Sequence, residues 1–418
     1  MSFTKPPMGW NSWDCYGASV TEDIVRKNAE YMAKNLKQFG WEYIVVDIQW
    51  SEPTAENHSY HPFTELCMDE YSRLIPAENR FPSSKGGKGF APLAEYVHSL
   101  GLKFGIHIMR GIPRQAAHRN TAILGSDKTA RQIASTNSTC PWNTDMYGIN
   151  TDAEGAKEYY ESIFKLYAEW GVDFVKVDDI ANHYPEPEVE MISNALRNSG
   201  RKMILSLSPG PAKIEEAEHL KQYANMWRIT DDFWDKWELL YDMFSRAEMW
   251  SSHSGAGHWP DADMLPIGAI LQDYSKDNRT AFTKDEQVTM MNLWCIMRSP
   301  LMIGGDMVYN DDFTYSLLSN ADLLEMLSQA RYSKQVYRRK SDKKEQIVWS
   351  AVRKDGGYYL AVFNAGEEQD EITVNLSELE LDGEFELFNI WTKTTEKVNG
   401  TVSVNLAPHA SAAFRLSK

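Results

Sequence analysis

The sequence predicts an α/β fold: a (β/α)8 barrel over residues 1–329, followed by a C-terminal antiparallel β-sandwich domain over 330–418. Three observations carry that expectation. A helix ending in glycine, then a short apolar run with a polar residue at its end, occurs four times. No strand is followed by a dinucleotide or phosphate-loop glycine motif, which argues against a doubly wound sheet. After Gln329 the texture changes to short alternating runs separated by turn residues.

Met8-Gly-Trp10 is read as an opening strand. Residues 21–39 read as a helix: Thr21 is the N-cap, Glu22 and Asp23 suit the first turn, and Ile24, Val25, Met32, Leu36 and Phe39 share one face. Gly40 ends it, and Tyr43-Ile-Val-Val-Asp47 is a β-branched run expected to be buried on both faces. The unit recurs at Gly101 with 103–107, at Gly171 with 174–178 and at Gly200 with 203–207, while 225–229 and 301–303 supply two more strands. Gly255-Ala-Gly257 follows no clear strand. Segments 51–88 and 113–150 lack periodicity and are expected as long loops at the barrel mouth, where specificity resides. Beyond Gln329, strands are expected at 347–352, 358–363, 371–376, 385–389, 402–406 and 410–416, with a hairpin turn at Gly356-Gly357. This last region holds no catalytic constellation and is read as a packing lid in preference to an accessory sugar contact.

Composition narrows the function. With 43 Lys and Arg against 59 Asp and Glu, the net charge of −16 argues against nucleic acid or an anionic membrane surface as partner. At 43% hydrophobic and 24% charged, the chain has the material for a packed core rather than a disordered one. No run approaches the length of a membrane span and the N-terminus has no apolar leader core, so a cytoplasmic protein is expected. Four cysteines without a C-x-x-C suggest neither zinc nor redox chemistry, and no metal or cofactor is expected. Fourteen tryptophans suit flat sugar rings, which points to a carbohydrate partner; the oligomeric state is open.

In a barrel, residues at the C-terminal ends of strands converge on one mouth. That would bring together Asp47, His107, Asp178 and Ser206 or Ser208. Lys176-Val-Asp178-Asp179 ends one strand, and Asp231-Asp232 follows another that carries Trp227 and Arg228. Two carboxylates from different strand ends, among tryptophans, are what hydrolysis of a glycosidic bond requires. Read singly, each aspartate also suits a helix cap or a partner for Lys176 or Arg228.

Seven blocks in order sharpen this: Met8-Gly-Trp-Asn-Ser-Trp13, Val46-Asp47, Lys103-Phe-Gly-Ile106, Gly171 to Asp178, Trp227-Arg228 with Asp232, Trp259-Pro-Asp261-Ala-Asp263-Met-Leu265, and Ser299-Pro-Leu-Met-Ile-Gly304. Together they resemble glycoside hydrolase family 27, the α-galactosidase and α-N-acetylgalactosaminidase family, along the whole chain. The resemblance implies a retaining mechanism with Asp178 as nucleophile and Asp232 as acid/base, Asp231 being the local competitor. It also implies that Trp13 stacks on the sugar, that Asp47, Lys176, Arg228 and Asp263 hold its hydroxyls, and that Trp10 is core.

Three departures bear on the substrate. Ile48 stands where the family has a second aspartate gripping the O4 and O6 region, His107 replaces a tyrosine and is expected, with Ser208, to contact the substrate, and Ile180 replaces a cysteine. On the fifth strand, Ser208 with Ala212 forms a small pair where the family sets tolerance at C2. The resemblance thus implies an α-galactosidase, with an α-N-acetylgalactosaminidase or a β-L-arabinopyranosidase as alternatives, the last because an apolar residue near C6 suits a sugar lacking the hydroxymethyl group. Two other classes compete. A metal-dependent barrel enzyme would use Asp47, Asp178 and Asp179 as ligands, but no H-x-H follows a strand. A catalytically inactive carbohydrate-binding protein would not need both carboxylates.

Overall fold

Eight short parallel strands form one curled sheet in the computed structural model, which describes residues 3–418. They are β1 (Met8–Asn11), β2 (Tyr43–Val46), β3 (Lys103–Met109), β4 (Phe174–Asp178), β5 (Ile204–Leu207), β6 (Met226–Arg228), β7 (Trp259–Asp261) and β8 (Leu301–Ile303). Neighbours pair in the order β7-β6-β5-β4-β3-β2-β1-β8. The ring closes just beyond β7, where Leu265 bridges in parallel to Ile303 and its N–H donates to the Met302 carbonyl at 2.8 Å. Helices α1 (Glu22–Tyr31), α2 (Ala91–Ser99), α3 (Ala156–Trp170), α4 (Glu186–Asn198), α5 (Ala217–Tyr223), α6 (Trp237–Trp250), α7 (Lys284–Met297) and α8 (Ala321–Gln329) surround it. This is the expected (β/α)8 barrel.

The elements differ from the sequence reading at identifiable places. The helix expected over 21–39 is regular only to Tyr31; a π turn over Met32–Leu36 and a 3-10 turn over Lys37–Phe39 follow, keeping Met32 and Leu36 buried. Strand β7 has no sequence signature, because three residues with a central proline show no alternation. The 113–150 segment carries a small antiparallel sheet of Ile112–Pro113, Met146–Ile149 and Ala134–Thr139. Its longest strand, Ala-Ser-Thr-Asn-Ser-Thr, is partly or fully exposed, so it offers no hydrophobic pattern to detect.

After α8 come β9 (Arg331–Ser341), β10 (Lys344–Val352), β11 (Tyr358–Asn364), β12 (Asp370–Asn375), β13 (Glu384–Asn389), β14 (Thr395–Asn399), β15 (Thr401–Leu406) and β16 (Ser411–Ser417). Six of them form a sheet ordered β9-β10-β11-β16-β13-β14, and β12 pairs with β15 across the sandwich. Alternation sorts the two faces of β10: Val348 enters the sandwich core with Leu360, Ile372 and Phe414, while Ile347, Trp349 and Ala351 join the core shared with the barrel. Contacts from α7 seal the junction, including Thr289 to Ser411 at 2.9 Å and the Trp391 indole donating to Asn292 at 2.9 Å. Strands β9 and β14 escaped the sequence reading because polar and charged residues dominate them. All four cysteines are free, and no helix among the described residues is long and apolar enough to cross a membrane.

Candidate active site

Strand alternation builds the site. Tyr43 and Val45 of β2, Phe174 of β4, Ile204 of β5, Met226 of β6 and Met302 of β8 fill the barrel lumen, while Val175, Val177, Leu205 and Leu207 face the helices. Gly105 allows this filling: a Cβ there would lie 2.9 Å from both the Phe174 Cβ and a Val45 methyl. Two residues further along β2 to β6, the inward positions turn polar. Asp47, His107, Lys176, Ser206 and Arg228 occupy this layer, with His107 paired to Lys176 and Lys176 to Ser206 in register. Asp178 lies one step nearer the mouth. Above them is a cavity of about 550 Å³ lined by Trp13, Asp14, Asp47, Ile48, Tyr60, Trp142, Lys176, Asp178, Arg228, Asp231, Asp232, Trp234 and Asp263, among others.

Asp178 is held from three sides. Its Oδ1 accepts from the Asp179 N–H at 3.0 Å and the Ser208 hydroxyl at 3.1 Å, and His107 Nε2 lies 3.1 Å from Oδ2. Burial opposes ionisation here, but the His107 hydrogen bond and charge, Lys176 and the Asp179 N–H outweigh it and hold the carboxyl well below the usual range. Asp47 is arranged similarly: its Oδ2 accepts from Asn11 at 2.7 Å and from Lys176 at 3.0 Å. Against burial, Lys176, His107 and Asn11 lower its carboxyl, and Asp47 with Asp178 raises the Lys176 ammonium. The result is a fixed Asp47–Lys176 ion pair beside the Asp178 carboxylate, with all three side chains lining the cavity.

Across the cavity, Arg228 reaches Asp263 at 2.7 Å and Asp232 at 3.1 Å through the same Nη2. The Phe233 N–H also donates to Asp263 at 2.7 Å, which fixes the loop that carries Asp232. Asp232 itself has a side chain 54% exposed, whereas that of Asp178 is 14% exposed. One carboxylate is thus immobilised and anionic at the cavity floor, and the other stands near solvent on an arginine tether. That pairing can deliver a nucleophile and a proton to opposite ends of one glycosidic bond.

Of the residues singled out from sequence, Trp13, Asp47, Lys176, Asp178, Arg228, Asp232 and Asp263 all line the cavity. His107 and Ser208 require a correction. Both are buried behind Asp178 and point their polar atoms at it, and neither lines the cavity. The wall near Ser208 is formed instead by Pro209 and Gly210, and Ala212 is buried outside the lining. The tryptophan surplus is also mostly architectural: Trp10, Trp41, Trp227, Trp250, Trp259, Trp294 and Trp349 are fully buried, and only Trp13, Trp142 and Trp234 line the cavity.

Other residues at the site carry no sequence signal. Asp14, directly after Trp13, is buried, and burial followed by the charges of Asp263 and Asp232 raises its carboxyl well above the ordinary value. Tyr60 stacks on Trp13 with ring centroids 5.9 Å apart, and His58 Nε2 lies 2.7 Å from the Trp13 carbonyl while its Nδ1 lies 2.8 Å from Asp273. Tyr60, His58 and Trp142 come from the two aperiodic loops, where no pattern marks individual positions. Ile48 lies beside Asp47 and is backed by Met109, Cys140 and Met146, so this corner of the cavity is apolar.

The chain matches the family described as alpha galactosidase A over residues 5–146 and 144–328, and the alpha galactosidase C-terminal beta sandwich domain over 343–416. An α-galactosidase from Coffea arabica is 30% identical over 418 residues, covering 99% of this chain and 93% of the relative. A β-L-arabinopyranosidase of glycoside hydrolase family 27 from Geobacillus stearothermophilus is 54% identical with a TM-score of 0.97, covering 99% of this chain and 97% of that one. An aspartate-to-alanine variant of that enzyme has been solved in complex with arabinose. A Bacillus halodurans structure provisionally named an α-N-acetylgalactosaminidase is 53% identical with a TM-score of 0.89, covering 100% and 99% of the two chains.

Proposed function

The chain belongs to glycoside hydrolase family 27 and is a glycosidase, and from that premise we propose that it is a retaining β-L-arabinopyranosidase. β-L-Arabinopyranose has the ring and hydroxyl configuration of α-D-galactopyranose without the C6 hydroxymethyl group. The observation that carries the choice is Ile48. An exocyclic hydroxyl placed against the Ile48 side chain, which is backed by Met109, Cys140 and Met146, gains no hydrogen bond from it, while a ring that ends at C5 suits an apolar contact there. The 54% identity to a β-L-arabinopyranosidase supports the same reading.

In this reading Asp178 attacks the anomeric carbon as Asp232 protonates the leaving oxygen, forming a glycosyl-enzyme; Asp232 then deprotonates the water that releases the sugar with its configuration retained. The hydrogen bonds to Asp178 suit both half-reactions, since they keep it ionised for attack and stabilise it as the departing carboxylate. Asp232, half in solvent, can exchange its proton with water between steps. Trp13 supplies a flat apolar face, and the Asp47–Lys176 and Asp263–Arg228 pairs offer acceptors and donors already fixed by each other.

Leaving one hydroxyl unpaired in a closed site costs about 1–3 kcal/mol, roughly 5- to 150-fold. With the p-nitrophenyl glycosides, kcat/KM is therefore expected to be at least about fivefold higher for β-L-arabinopyranoside than for α-D-galactopyranoside. An α-galactoside turned over as fast or faster would overturn the arabinoside assignment in favour of the α-galactosidase reading that the Coffea relative supports. Preference for the α-N-acetylgalactosaminide would overturn both.

A further inference from the structure

The residue after Asp178 has a backbone that a side chain rarely adopts. Asp179 is left-handed, with φ of 59°, and this conformation turns its N–H onto Asp178 Oδ1 at 3.0 Å. The left-handed region costs most side chains about 1–2 kcal/mol and is least unfavourable for asparagine and aspartate. A buried system holds it there. Arg110, directly beyond β3, donates its backbone N–H to the Asp178 carbonyl at 3.0 Å, its Nε to the Asp179 carbonyl, and its Nη2 to Asp179 Oδ2 at 3.0 Å. Its Nη1 faces Glu188 of α4 at 3.3 Å, and Glu188 accepts in turn from the Tyr160 hydroxyl at 2.6 Å. Arg110, Asp179, Glu188 and Tyr160 are all less than 5% exposed, and none of them lines the cavity.

Resting on the assignment of Asp178 as nucleophile, we infer that Asp179, locked by Arg110 and Glu188, is a positioning residue for glycosylation. Arg110 holds both carbonyls that follow the Asp178 side chain, its own and that of Asp179, so the carboxylate plane is set by a rigid peptide as well as by its own side-chain partners. The Asp179 N–H and Ser208 both load Oδ1, while Oδ2 receives His107 alone. Oδ2 therefore keeps the freer lone pair and is the oxygen presented to the anomeric carbon. A mispositioned N–H would let the carboxylate rotate and lose that distinction, without touching the groups that hold the sugar.

The test separates conformation and anchoring from binding. Single-turnover release of dinitrophenolate from 2,4-dinitrophenyl β-L-arabinopyranoside reports attack by Asp178, and tryptophan fluorescence reports arabinose binding. Asp179→Asn keeps the left-handed preference and an acceptor for Arg110 and is expected within threefold of wild type. Asp179→Ala is expected to slow release at least tenfold with arabinose affinity within twofold. The charge-balanced pair Arg110→Met with Glu188→Gln, which unties the peptide while sparing Asp179, is expected to behave like Asp179→Ala. Wild-type release by Asp179→Ala would overturn the inference, as would arabinose affinity falling in step with rate, which marks a general loss of packing. Asp178→Ala distinguishes the underlying assignment: if it still releases dinitrophenolate at the wild-type rate, the nucleophile is wrong and Asp179 has nothing to position.

Discussion

Replacing Ile48 by aspartate should convert the apolar corner of the cavity into a hydroxyl acceptor. Ile48 is 6% exposed and packs on Met109, Cys140 and Met146, so a carboxylate there would be buried beside apolar side chains. A galactoside would bring it a hydrogen-bond partner, its O6 hydroxyl. Hydrogen bonds to a charged group contribute about 1.5–3 kcal/mol, which corresponds to roughly 10- to 150-fold in the ratio of galactoside to arabinoside kcat/KM. Losing the isoleucine side chain and burying a charge also destabilises the fold, on the order of 2–5 kcal/mol. The assay is therefore the ratio of the two kcat/KM values measured on one preparation, which is insensitive to the folded fraction, with a thermal melt alongside. An unchanged ratio, or one that moves toward the arabinoside, would show that residue 48 does not face C5 of the sugar, and the substrate argument would fall with it.

Other consequences follow from the charged groups. Lys176→Met removes the cation paired with Asp47 whose charge also acts on Asp178, so kcat/KM should fall at least about 100-fold, in line with breaking a buried pair. Asp178 also loses one of the charges that hold its carboxyl down, so the acidic limb of the pH–rate profile should move to higher pH; a limb that stays in place contradicts the role given to Lys176. Asp14 has its carboxyl raised by burial and by Asp263 and Asp232, so the folded protein keeps that proton to higher pH than the unfolded chain. The stability linked to it is present below the unfolded value of 3.8 and is lost as pH rises through the folded one. Asp14→Asn should accordingly raise the melting temperature at pH 8, with a gain that shrinks toward pH 4; a gain that grows on acidification would refute it. Asp173 lies on the other side of this rule. Against burial, His98, the Phe104 N–H and Arg201 hold its carboxyl low, so Asp173→Asn should cost roughly 1–3 kcal/mol at pH 7, a deficit that disappears as pH falls through the folded value.

The barrel was legible because its buried strands advertise themselves. Tyr43-Ile-Val-Val and Phe174-Val-Lys-Val-Asp178 have the β-branched density that two covered faces demand, and the inward parity of Lys176 and Asp178 follows from period two alone. Asp232 and Asp263 sit on loops beyond β6 and β7: the position after a strand points to Asp231-Asp232 as a pair, but only the ordered blocks of the family resemblance choose Asp232 within it and single out Asp263. His107 and Ser208 were placed in the right layer but not with the right orientation. Their polar atoms turn toward Asp178, a choice made by hydrogen bonding across three strands that spacing along one strand cannot reveal. Tyr60 and Trp142 stayed hidden in segments with no periodicity, and Asp14 because a single carboxylate after a tryptophan reads as a surface residue until burial shows otherwise.

The most direct test of the central claim is azide rescue of the two carboxylate variants with an activated aryl β-L-arabinopyranoside. Azide small enough to occupy the space vacated in Asp178→Ala should attack from the nucleophile's side and give the α-L-arabinopyranosyl azide, inverted relative to substrate. In Asp232→Ala it should intercept the glycosyl-enzyme and give the β-L-azide, retained. Recovery of the retained azide from Asp178→Ala, or no rescue in either variant alongside full activity without azide, would contradict the assignment of Asp178 as nucleophile and Asp232 as acid/base.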